Sequence, residues 1–448
     1  MISWIFEYPE STILFSVAFV CLILFLWMKR DFFSPANIYC FSQVMMVGIA
    51  YLKLNQAMTD FKLITWLFWI GGMFAFLTGC WLVNLVWKSK VAPEIKYPLV
   101  LHQDYDWRKH FFLSLVAFGF FLIGFFAIIS IAGNLILFTE SPGDWMGKNP
   151  KVGSFANYFC SSPMVVGLFG VASFKSFNPL RGYRIASRIM ALVTICLSFM
   201  AFPNRGTTFV CVGILLVLYN YLHKKLSFAF IGVTASLLLA AFIGIAMLRG
   251  QYGNGSLDGL VLDAVIDLPY KYVANNYWNF DYALNPPSDR DRHPWTYGVD
   301  TFFGILYFVH VGPALRESNG WDTPYNESVE KINGLNTVSY LWDAYKDFRV
   351  PGIFLVPLFF GIVFTFIYRR LAVLKSPKEL LFHSMFVFWI LMWSFTTGYK
   401  QSMYWIWMAF FYVVPTLCQR KSLPDESFLV EKENTKKGCA YKIAAEGQ

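Results

Sequence analysis

Apolar runs close to the length of a bilayer crossing recur along almost the whole chain, and they leave it few folds to choose from. They cover roughly residues 11–28, 36–53, 63–87, 111–138, 154–174, 185–203, 207–222, 226–248, 349–368, 380–397 and 401–418. About twenty apolar residues in helical form cross the hydrocarbon core. Inside lipid each backbone N–H and C=O needs a partner within its own segment, so an open sheet edge is excluded and helix is expected. The expected fold class is therefore an all-α polytopic membrane protein of about eleven transmembrane helices, within about 10–12. Composition agrees, because only 15% of the residues are charged, where soluble proteins carry about a quarter. The 16 Trp and 24 Tyr suit two interfacial belts.

The Lys and Arg residues orient this set of helices. One series of connections holds Lys29, Arg30, Lys88, Lys90, Lys96, Arg108 and Lys109, then Lys175, Arg181, Arg184, Arg188, Lys224 and Lys225. Arg369, Arg370, Lys375, Lys378 and the basic residues of the tail complete it, giving 23 of the 37 Lys and Arg. Cytoplasmic loops carry the excess of basic residues. The expected topology has the N-terminus outside, the C-terminus cytoplasmic, and residues 249–348 on the outer face between the eighth and ninth helices. Four units follow: helices one to eight in 1–248, the large loop in 249–348, helices nine to eleven in 349–418, and a Lys- and Glu-rich tail in 419–448, expected to be disordered. Within the loop, Thr301–Leu315 is apolar but short for a span and contains Gly304, Gly312 and Pro313. A re-entrant or interfacial helix is expected there.

Several functions are disfavoured. The net charge of +9 does not gather on a basic helix with interleaved aromatics, so no nucleic-acid partner is expected. The eight cysteines form no CxxC and no disulfide pattern. Walker A, HExxH, GxSxG and DxD-type patterns are absent, so neither a metal nor another cofactor is expected. Ser11 to Met28 follows no basic stretch and precedes no small-residue cleavage site, so it reads as a retained helix.

The groups that can carry chemistry belong to the outer face. Arg205 lies in the hairpin Pro203-Asn204-Arg205-Gly206-Thr207, and Arg249 follows the eighth apolar run. Each either snorkels to the headgroup level or offers a fork of donors to a phosphate oxygen. Two arginines at one depth on neighbouring helices suit a pyrophosphate better than one. Asp289-Arg290-Asp291-Arg292-His293 either pairs its own charges in solvent or binds an anion through Arg290 and Arg292, with His293 as a proton acceptor near neutral pH. Asn336, Tyr340, Trp342, Asp343, Tyr345 and Asp347 combine amide, carboxylate and aromatic groups suited to sugar hydroxyls and ring faces. For Asp347 a helix-capping role is the alternative to that of a base.

With these residues in view, the chain resembles the Wzy-type O-antigen and oligosaccharide repeat-unit polymerases of bacteria. The resemblance rests on helix number, on the large loop in the second half, and on short motifs in order. These motifs are Asn204-Arg205-Gly206, Arg249 at the head of the loop, Asn336-Thr337 through Tyr345, Asp347 and Gly352, then Gly361 and Tyr368-Arg369-Arg370. It implies an inner-membrane glycosyltransferase whose periplasmic loop acts on two undecaprenyl-pyrophosphate-linked oligosaccharides. The growing glycan passes to the incoming unit with no metal or nucleotide sugar, in making O-antigen, capsule or exopolysaccharide, with a chain-length regulator as possible partner. Arg205, Arg249, His293 and Asp347 are then the candidate catalytic residues, and Arg290, Arg292, Asn336 and Tyr345 the candidate substrate contacts. Two other readings remain open: an O-antigen ligase using the same donor, or a transporter of the lipid-linked glycan.

Overall fold

The computed structural model describes residues 9–27, 31–54, 59–87, 95, 97–100, 105–133, 135, 161–201, 205–248, 268–286, 294–307, 311–319, 338–394 and 397–420. Among them every regular element is helical. In chain order these are α1 (Pro9–Trp27), α2 (Pro35–Ala50), α3 (Leu63–Val86), α4 (Trp107–Ala132), α5 (Ser162–Ala172), α6 (Arg181–Ala201), α7 (Arg205–Leu222) and α8 (Phe228–Leu248). Then follow α9 (Leu268–Leu284), α10 (Phe303–Leu306), α11 (Val311–Ser318), α12 (Tyr340–Leu374), α13 (Pro377–Met392) and α14 (Ser402–Cys418), with a single 3-10 turn at Gly398–Lys400.

Each of the eleven apolar runs holds a helix. Four are long and apolar enough to cross a membrane: Leu63–Val86, Trp107–Ile131, Arg181–Met200 and Tyr340–Leu374. Shorter apolar stretches of 10–17 residues lie in α1, α5, α7, α8 and α14. α5 has 11 residues, all buried by protein, and at 1.5 Å per residue it reaches only about half of the ~30 Å hydrocarbon thickness. The helix ends are set by local chemistry. Asp106 caps α4 by accepting from the backbone N–H groups of Arg108 (3.1 Å) and Lys109 (3.0 Å), and Gly133 closes the helix in the left-handed conformation at φ 71°.

Two regions differ from the expectation. α12 starts nine residues before the apolar run, so the polar stretch Tyr340–Phe348 is helix and not loop, and a kink at Arg349 (φ 53°, ψ −142°) joins it to the apolar part. The kink folds Gly352 against the backbone of Ala344, where a Cβ would meet Ala344 C at 2.8 Å and Phe348 Cβ at 3.0 Å. The segment 301–315 is not one helix. It breaks into α10 and α11, with Phe302, Ile305, Val311 and Leu315 exposed, in keeping with an interfacial rather than a spanning role.

α12 packs most closely on α3, because Gly79 and Gly361 let the two backbones touch. Around that crossing Tyr39, Phe76, Phe360, Phe364, Trp389 and Trp393 form a buried aromatic core; Phe364 and Phe386 stack at 4.3 Å, and Tyr340 and Trp393 at 4.4 Å.

Contacts sort the connections into two ends. At one end Tyr221 donates to Asp31 and meets His383 Nε2 at 3.0 Å, Leu99 N donates to Tyr221 O (2.8 Å), and Ser176 to Leu222 O (2.7 Å). Arg369 there bonds Asn84 (2.8 Å), and Arg370 pairs with Glu379 (3.0 Å). At the other end Tyr270 donates to Ala50 O (3.0 Å), Lys62 N to Asp281 (2.8 Å), Tyr340 N to Trp393 O (3.0 Å) and Thr296 N to Lys346 O (3.2 Å). Among the described residues, the first, the Asp31 end, gathers contacts from connections of the Lys- and Arg-rich series, and the second, the Asp300 end, contacts from connections of the alternate series.

Candidate functional site

Charged side chains enter the protein interior most densely at the Asp300 end. Asp300, Asp343 and Lys346 are 2%, 7% and 4% exposed. Helix spacing puts Asp343 and Lys346 on one face of α12, with Lys346 Nζ 3.6 Å from Asp343. Lys346 also pairs with Asp300, which receives Arg316 from α11 as well. Lys400, from the turn before α14, completes the group at 3.0 Å from Asp343 and 3.9 Å from Asp300. Thr397 donates to Asp343, and the Arg316 guanidinium lies over the Phe303 ring at 3.9 Å. Four parts of the chain thus meet here: 296–301, α11, the start of α12, and 397–400.

The protonation states follow from the neighbours. Burial alone would raise the Asp300 pKa, but Lys400, Lys346 and Arg316 together hold its carboxyl well below the usual carboxylate range. Burial likewise opposes charge on Lys400, and Asp343 and Asp300 overcome it, leaving the ammonium above its ordinary value. Asp300 and Lys400 are therefore both held in their charged forms. Charges this well paired give geometric definition more than net stability. Arg316 and Lys400 keep 22% and 25% of their side-chain surface exposed, so this is where the network reaches solvent.

Asp347, a candidate base by sequence, is fully buried. Its Oδ1 accepts from the Thr296 hydroxyl (2.6 Å) and from Asp300 N (3.0 Å), and its Oδ2 accepts from Thr301 N. The main-chain oxygen of the same residue accepts from the Trp295 indole. Its oxygens thus fasten segment 295–301 to α12. Tyr345, a candidate sugar contact, is half-buried; its ring packs near Phe68 at 5.8 Å and Trp342 at 5.9 Å, with the Arg349 guanidinium 5.5 Å from it.

Arg205 is the first residue of α7. That helix runs toward the Asp31 end: Tyr221, near its C-terminus, meets His383, while a Cβ on Gly213 would touch Phe388 at 3.2 Å, further along α13. Arg205 therefore begins its helix toward the Asp300 end. Arg249, Arg290, Arg292, His293 and Asn336 lie outside the described residues. Among the described residues no group of three or more His, Cys, Asp and Glu converges as for a metal ion.

Sequence reading passed over Asp300, Arg316, Lys346 and Lys400 as an assembly. The usable signal was that each lies in the alternate, cation-poor series, where a basic residue calls for a partner. No protein-family model, curated protein or solved structure matches the chain.

Proposed function

We propose that this protein is a metal-independent membrane glycosyltransferase that polymerises undecaprenyl-pyrophosphate-linked oligosaccharide units at the outer face of the bacterial inner membrane. In this reading the eleven apolar helices span the bilayer, the Asp31 end and the tail are cytoplasmic, and the Asp300 end is periplasmic. The observation that carries it is the separation of the two ends. In this reading the Lys- and Arg-rich connections and the tail belong to the Asp31 end, yet a fixed cluster of ions and the start of α7 with Arg205 belong to the opposite one. The resemblance to Wzy-type polymerases supports the same assignment.

The chemistry fits these groups. A hydroxyl oxygen of the incoming unit attacks the anomeric carbon of the growing glycan. The bond from that carbon to the pyrophosphate oxygen breaks, and the electron pair leaves with the undecaprenyl pyrophosphate. Arg205 and Arg249 stabilise the charge that builds on the leaving group; one such preorganised donor is worth about 2.7–4 kcal/mol of barrier. The acceptor hydroxyl's proton goes to His293, whose ordinary pKa lies near neutral, since the carboxylate oxygens of Asp347 are already engaged. The ion cluster ties residues 296–301, α11, the start of α12 and 397–400 together, and in this reading the apolar helices hold the polyprenyl tails, so both reactants are positioned.

The test is Arg205→Ala and Arg249→Ala, each expressed in a strain lacking the protein, with surface polysaccharide separated on a gel. Collapse of the ladder to a single repeat on the lipid A core is expected. A ladder of normal length would remove both arginines from the mechanism. Long chains on the polyprenyl lipid, with no glycan on the core, would replace the polymerase by a ligase.

A further inference from the structure

At the Asp300 end two aromatic rings are left in the open. Trp295 and Tyr297 stack with centroids 4.8 Å apart and planes 12° from parallel. They are 44% and 67% exposed. Flat, exposed rings of this size are costly to hydrate, and they are the surface that the C–H face of a sugar ring fits.

Their mounting is rigid. Thr296 N donates to Lys346 O at 3.2 Å, the Thr296 hydroxyl donates to Asp347 at 2.6 Å, and the Trp295 indole donates to Asp347 O. Both rings thus stand on the first turns of α12, beside the ion cluster. Tyr297 also has φ 49°, a left-handed conformation that bulky residues rarely adopt, and Gly298 follows at φ 91°. Asn or Gly would take that backbone shape at lower cost, so a tyrosine held there points to a use for its ring.

A lipid-facing belt is the competing occupant. A belt tryptophan turns its N–H toward headgroups and water, whereas the Trp295 N–H is used inside the protein. We propose that the Trp295–Tyr297 stack is a carbohydrate platform, binding a pyranose ring of the lipid-linked oligosaccharide through its exposed ring faces. This rests on the polymerase reading and adds the subsite that holds the sugar.

The experiment uses the full chain in nanodiscs. The substrate is lipid-linked oligosaccharide extracted from a strain lacking the protein, and the soluble probe is the same oligosaccharide released by mild acid. Tyr297→Asn removes one ring and suits the left-handed backbone; Trp295→Ala removes the other; Trp295→Phe keeps a ring. The first two are expected to raise KM about tenfold with kcat changed less than about threefold, and Trp295→Phe to stay within about threefold of wild type. An unchanged KM in both Tyr297→Asn and Trp295→Ala overturns the platform while leaving the polymerase standing. So does a fall in tryptophan quenching by brominated lipid in Trp295→Ala at unchanged KM, which assigns the pair to the bilayer. If the wild type extends no glycan, the polymerase reading fails, and saturation-transfer NMR with the soluble oligosaccharide decides the platform separately. A signal lost in Tyr297→Asn supports it; an unaltered or absent signal overturns it.

Discussion

Gly361→Ala tests whether the α3–α12 crossing sets the position of the candidate site. An alanine Cβ at 361 would run into the Phe76 carbonyl oxygen and lie 3.1 Å from Phe76 C and 3.3 Å from Cys80 N. At Gly79 it would run into Leu358 O and lie 2.9 Å from Ile362 N and 3.2 Å from Gly361 C. All of these are backbone atoms of packed helices, so no side chain can swing away. Close approach through small residues is how helices gain contact in lipid, where no hydrophobic force drives them together. Restoring ordinary contact asks the helices to part by about 1 Å, a gap that forfeits a quarter to a half of the dispersion energy across it. Overpacking of this kind costs about 1–3 kcal/mol. The packed aromatic core of Tyr39, Phe76, Phe364 and Trp393 straddles the crossing, which favours the upper part of that range. Reversible unfolding in mixed micelles is the assay, with Gly79→Ala measured in parallel. One opening relieves both clashes, so the double variant is expected to cost less than the sum of the singles. α12 carries Asp343, Lys346 and Asp347 on its first turns, so on the proposed polymerase reading chain extension should fall along with stability. Stabilities of both single variants within about 0.5 kcal/mol of wild type, the range of a neutral surface change, would refute the reasoning.

Two further outcomes are expected. Because the folded-state pKa of Asp300 is depressed by its three cations, its contribution to stability is present above the ordinary carboxylate value of about 3.9 and is lost as pH falls through the folded value. Unfolding measured from pH 7 downward should therefore show an acid limb that flattens in Asp300→Asn. At neutral pH that variant should lose about 3–5 kcal/mol, since it leaves Lys346 buried without its closest carboxylate; an unchanged acid limb would contradict the assignment. Arg349 occupies a backbone region nearly reserved for glycine, so Arg349→Gly should be more stable than Arg349→Ala by about 1–3 kcal/mol, and equal unfolding midpoints would show that the kink carries no strain.

The ionic site also bears on how a substrate would be held. Asp347 and Thr296 fix the main chain, Asp300 draws in Arg316 and Lys400, and the aromatic pair stands on the same turns. A change to any one of them moves the others, so double variants across the cluster should couple instead of adding.

Residue order alone determined that the chain is helical and where nearly every helix lies. The eleven apolar runs suffice for this, because lipid or a packed interior leaves an apolar segment no way to satisfy its backbone except within itself. Residue types marked Asp347 as a position of note, and the resemblance to Wzy-type polymerases marked both it and Gly361. Residue order did not show that Tyr340–Phe348 continues the ninth helix, since its Asp and Lys residues look like loop until Asp300, Thr397 and Lys400 arrive to neutralise them. Nor did it show Asp347 as a clasp, because its partners at 296–301 lie almost fifty residues away along the chain. Those pairings depend on which helix ends meet, and that is decided by the Gly79–Gly361 crossing and by α9 tying α2 to α3. Local pattern fixes each segment's own hydrogen bonds; buried charge is settled only by neighbours that folding brings from far along the chain.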